Sequence, residues 1–128
     1  MKPYGIVAAV VIGLAFATPA LAQSMNAEAF HKRAQSLKKK GALALFSRGE
    51  IKNLMKEVQA AAGASRERRL AAIRAGQPPR YCPIEAKGSM GSGELMDRLA
   101  AIPPAERARI DMTEAMTRIL AAKFPCKA

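Results

Sequence analysis

The chain has 128 residues, with 21 Lys and Arg against 10 Asp and Glu, one His, two Cys and no Trp, for a formal charge of +11. One histidine and two cysteines are too few for a metal centre built from those residues, and no Ser, His and acid constellation is recognisable. Composition therefore argues against catalysis, a resident metal or another cofactor, and for one small domain whose core is mostly Leu, Ile, Met and Ala.

The first stretch is a sorting signal. Lys2 supplies a positive end, Gly5 to Phe16 is continuously apolar or small, Thr18-Pro19 breaks the run, and Ala20-Leu21-Ala22 is an A-x-A site. These features predict a secretory signal peptide over residues 1–22, cleaved after Ala22, since the apolar run is well short of the ~20 residues a spanning helix needs. Residues 23–128 are then expected to form one periplasmic domain without a transmembrane segment. An oxidising compartment favours pairing of the two cysteines, so Cys82 and Cys126 are expected to form a disulfide.

The predicted fold is all-α, with about five helices. Gln23–Met25 is expected to be a loose end. Asn26 can cap a first helix with Glu28 in its first turn, Lys38, Lys39 and Lys40 in its last and Gly41 beyond. Its apolar face is Ala27, Phe30, Ala34 and Leu37, and His31 flanks that face as a solvated or hydrogen-bonded residue. Gly41–Phe46 (GALALF) is a short apolar linker, and Ser47 to Glu50 matches a capping box. Ile51, Leu54, Met55 and Val58 follow as an apolar face, with Arg48, Lys52 and Lys56 as a basic stripe beside it. Gly63 either ends this helix or is tolerated within it. Ser65 can cap a further helix that Gly76 and Pro78-Pro79 stop.

Beyond Tyr81-Cys82-Pro83, the run Gly88 to Gly93 superficially matches a phosphate-cradling loop. No strand precedes it and no Gly-Lys-Ser/Thr follows, so it is expected to be a turn whose Ser92 caps the next helix. Leu95, Met96, Leu99 and Ile102 face inward on that helix. Pro103-Pro104 ends it and starts a short turn, and Asp111 with Glu114 opens a last helix bearing Met112, Ala115, Met116, Ile119, Leu120 and Phe124.

Charge divides the domain. Residues 32–80 hold 13 basic and 3 acidic side chains, against 7 and 6 in residues 81–128. The half 26–80 either attracts an anionic partner or is a solvated face that keeps a small protein in solution. Nucleic acid is disfavoured by export and by the lack of aromatics interleaved with the basic residues.

The half 81–126 carries Cys82-Pro83, a glycine-rich turn, Glu94-Leu95 with Leu99, a proline break, Ala115 with Ile119-Leu120, and Phe124-Pro125-Cys126. In this pattern of about 45 residues the chain resembles the Rap/Tai family, small all-α periplasmic immunity proteins of type VI secretion systems. The resemblance implies stoichiometric inhibition of a cell-wall amidase effector that cleaves peptidoglycan. It transfers no binding residue, because the matched positions are packing, turn and disulfide positions. Arg48, Lys52 and Lys56 are the candidate partner-binding residues, suited to an acidic protein partner. Two other readings remain: a cationic envelope or stress protein on anionic envelope polymer, and a small periplasmic chaperone.

Overall fold

The computed structural model describes residues 24–83 and 89–127, so the signal-peptide assignment and most of the Gly88–Gly93 turn's approach lie outside the described residues. The described chain is helical. Helix α1 spans Ala27–Lys40, α2 Arg48–Arg74, α3 Ser92–Ala101, α4 Pro104–Arg107 and α5 Met112–Lys123, and a 3-10 helix over Gly41–Ser47 joins α1 to α2. No described helix is long and apolar enough to cross a membrane.

α1 begins where its cap predicts. The Asn26 side-chain oxygen accepts hydrogen bonds from the Glu28 and Ala29 backbone N–H groups at 3.0 and 3.1 Å, satisfying donors the first turn leaves unpaired. Gly41 ends the helix at φ 54°, a conformation that a side chain disfavours. Of the stretch Gln23–Met25 expected to be loose, the described residues Ser24 and Met25 are tied down. Ser24 Oγ accepts from the Thr113 N–H and donates to Glu57, while the Met25 carbonyl accepts from the Met112 N–H at 2.7 Å. Ala27 N–H donates to the Ile110 carbonyl, and Asn26 opposes Asp111 in an isolated antiparallel bridge. The entry to α1 is thus stitched to the entry to α5.

α2 is one continuous helix of 27 residues, so of the two possibilities at Gly63 the glycine is tolerated within the helix, and no further helix starts at Ser65. Gly63 lies inside it, exposed, among Ala60, Ala61, Ala62 and Ala64, residues of the highest helix propensity. Ser65 does not cap anything. It is buried and its hydroxyl sits 2.8 Å from that of Thr117 on α5, which donates in turn to the Thr113 carbonyl. Ala61 and Ser65, four residues apart and both buried, let the two helices approach closely, and α2 with α5 forms the largest interface in the fold.

Two other serine caps are also absent. Ser47 makes no capping bond because the chain enters α2 already helical, without the extended turn that capping needs. At α3 the cap position is Gly91, one residue before Ser92, and no side chain caps it. The Asp111 cap does form, accepting from the Glu114 N–H at 2.8 Å. Pro104 stands at the start of α4, as proline's fixed φ favours.

The core is one cluster around α5. Met112, Ala115, Met116 and Ile119 pack with Ala27 and Phe30 of α1, Leu54 and Ala61 of α2, and Leu95 and Leu99 of α3. Cys82 and Cys126 form the expected disulfide, and the Cys82 N–H donates to the Phe124 carbonyl beside it.

Candidate docking surface

Not every apolar face finds a cover. Of the α2 face Ile51, Leu54, Met55 and Val58, only Leu54 is buried; Ile51 and Val58 are half-buried, and Met55 is 58% exposed. These residues form one wall of a groove of about 360 Å³. Phe30 and Leu37 of α1 and Leu95 and Met96 of α3 line the rest. Leu43 and Phe46, in the 3-10 helix that leads into this wall, are 64% and 88% exposed.

The basic stripe borders this groove. Arg48, Lys52 and Lys56 are all exposed on α2 and share a shallow depression with Ile51 and Met55. Met55 therefore stands on the ridge between the apolar groove and the cations. Helical geometry explains the juxtaposition: positions 48, 52 and 56 repeat every four residues, and 51, 55 and 58 follow one row over.

Glu50, which stands between Arg48 and Lys52 in the sequence, makes no ion pair with them among the described residues, and four other acids are engaged with other cations. Glu94 pairs with Lys123 and Arg98, and Glu114 bonds Arg80 and Arg118. Glu28 holds Arg107, and Glu106 holds Arg118. Hydrogen bonds from Lys123 and Arg98 keep the Glu94 carboxyl below the usual carboxylate range, and the Arg107 hydrogen bond does the same for Glu28. The Arg80 hydrogen bond, with Arg118 behind it, brings Glu114 down to about 2. Among the described residues, Arg48, Lys52 and Lys56 have no ion-pair partner, and Arg80 is the one basic side chain of residues 32–80 that does.

His31 flanks the α1 core face as expected but is buried, its ring within 3.2 Å of the Gln35 amide. Burial and the nearby Arg107 charge lower its pKa, with Glu28 opposing. Among the described residues no three His, Cys, Asp or Glu side chains group as metal ligands would. The arrangement suits binding: an apolar groove takes an apolar face, and a basic border selects an acidic edge.

Comparison of the chain with protein-family models, with curated proteins and with solved structures finds no match.

Proposed function

We propose that the chain is an exported, non-catalytic binding protein that inhibits a cell-wall amidase by occupying it in a one-to-one complex, as the Rap/Tai-like half implies. The observation that carries the proposal is the apolar groove bordered by Arg48, Lys52 and Lys56, cations left without carboxylate partners among the described residues. The occupant is a helical segment of the amidase with an apolar face for the groove and Asp or Glu along the edge that meets α2. Helix-in-groove recognition needs such apolar anchors at helical spacing.

The test is a titration of a purified cell-wall amidase with the chain, with peptidoglycan cleavage as the readout. Inhibition that saturates at one equivalent supports the proposal. Replacing Arg48, Lys52 and Lys56 together with Gln should leave the fold intact, since all three are exposed. It should slow association by about tenfold or more and flatten its dependence on salt, because electrostatic steering acts mainly on the encounter rate. Unchanged amidase activity at excess protein discards the inhibitor reading.

A second reading rests on the unneutralised charge of α1 and α2 as a whole. On that reading the chain is a cationic envelope protein held by anionic polymer. Retention on cell-wall or lipid preparations that is lost at high salt, with no effect on the amidase, selects it.

A further inference from the structure

Further along α2, towards its C-terminal end, a second recess of about 210 Å³ opens between that part of the helix, the segment 77–81 and α5. Its wall carries three arginines, Arg68, Arg69 and Arg80, and no carboxylate. The buried, mutually bonded hydroxyls of Ser65 and Thr117 also line it.

The three guanidinium groups are not equivalent. Arg80 is spent on Glu114, through two hydrogen bonds of 2.6 and 2.8 Å, and Glu114 stays ionised well into acid. Arg68 is exposed and Arg69 half-buried, and neither has an ion pair or hydrogen bond among the described residues. Arg69 lies over the Tyr81 ring, 5.3 Å from its centre, which fixes the guanidinium against the recess. Its Nε–H is shut away from water with no acceptor, the one such side-chain atom found among the described residues. A shielded donor without an acceptor is costly, and such groups call for an explanation.

We propose that this recess is a binding site for a phosphate dianion, free or as a phosphate monoester. Two uncompensated guanidinium groups match a doubly charged oxyanion, and a tetrahedral one can accept from both. Consecutive helix positions diverge by about 100°, so a single planar carboxylate cannot meet both forks face on. The recess is large enough for the anion with waters, at about 30 Å³ per water in the liquid. A small shift of Arg69 on entry of the anion gives its stranded Nε–H an acceptor.

The test is a titration of the full chain, bridge intact and labelled with ¹⁵N, with inorganic phosphate as the probe. The Arg69 Nε–H resonance and the amides of Gln77 and Tyr81 are followed. The expected result is a saturable shift confined to these signals. Acetate should bind about tenfold more weakly or worse, the cost of one charge-assisted hydrogen bond. Arg68→Gln, at an exposed position, should keep the fold and weaken phosphate by a similar factor, and Arg69→Gln should abolish the response. Phosphatidate vesicles that broaden the same resonances assign the phosphate to a lipid headgroup; vesicles without effect assign it to the free ion, and both support the site. Equal shifts from chloride at matched ionic strength, unchanged affinity in Arg68→Gln, or a response centred on Arg48, Lys52 and Lys56 would overturn it.

Discussion

Among the described residues, Arg107 is the most heavily engaged charged side chain. It is buried; its Nε donates to Glu28, and one Nη donates to the carbonyls of Leu99, Ala100 and Ile102. Those carbonyls close α3, where the helix leaves acceptors without intrahelical donors. Arg107→Met keeps the apolar stem but strands these acceptors and Glu28 together. It should cost about 3 kcal/mol, the usual scale for removing one member of a buried charged cluster, read as a fall in the urea midpoint. Glu114 supplies a pH-dependent term. Its folded carboxyl titrates at about 2 against a usual 4.5, so the unfolded chain takes up that proton first as pH falls. The stability it contributes is complete above 4.5 and is lost as pH drops towards 2. In Arg80→Gln the slope of stability against pH across this window should be shallower than in the wild type, as followed by urea unfolding at stepped pH. His31 acts in the same direction at higher pH: burial holds its pKa below 6.5, so acidification through that value also favours the unfolded chain.

At the scale of elements, α2 shows how packing overrides a local stop signal. Gly63 keeps helical geometry, and a Cβ built there meets nothing within 4 Å. Gly63→Ala should therefore stabilise the protein by about 0.5–1 kcal/mol, visible as a higher thermal midpoint, because glycine only adds backbone freedom to the unfolded chain. The sequence made local features legible. As helix caps, stop and start, Asn26, Asp111, Gly41 and Pro104 act within four residues of themselves, and each does in the fold what its position suggests. Ser65 and Ser92 were open to a capping role by the same rules, yet Ser65 is fixed by a hydroxyl 52 residues away on α5 and Ser92 falls one place inside its helix. The basic stripe was legible as a pattern. That its neighbour Met55 stays uncovered was not, because this depends on where α1 and α3 stop short of α2. Arg107 gave no signal at all, since its ion-pair partner lies 79 residues earlier.

At the scale of the whole molecule, two long-range closures hold the chain. One is the disulfide, which spans 44 residues and ties the segment after α2 to the end of α5. Loop-closure entropy over that separation is worth about 4 kcal/mol, a large fraction of the roughly 5–15 kcal/mol that small domains possess. Cys126→Ala should first loosen the segment 77–83 and the last turn of α5, with α1 and the α2–α5 contact around Ser65 following later; hydrogen exchange resolved along the chain reads this order. Uniformly faster exchange from Ala27 onward would contradict it. The other closure is the stitch between Ser24–Ala27 and Ile110–Thr113, whose hydrogen bonds join residues as much as 89 positions apart. A ribosome releases the first of these segments long before the second exists. This closure therefore cannot form until the residues up to Thr113 have been synthesised and have left the ribosome. For a protein proposed to cross a membrane as an extended thread, that delay is an asset: the contact that locks the fold becomes available only when both of these distant segments can reach the far side.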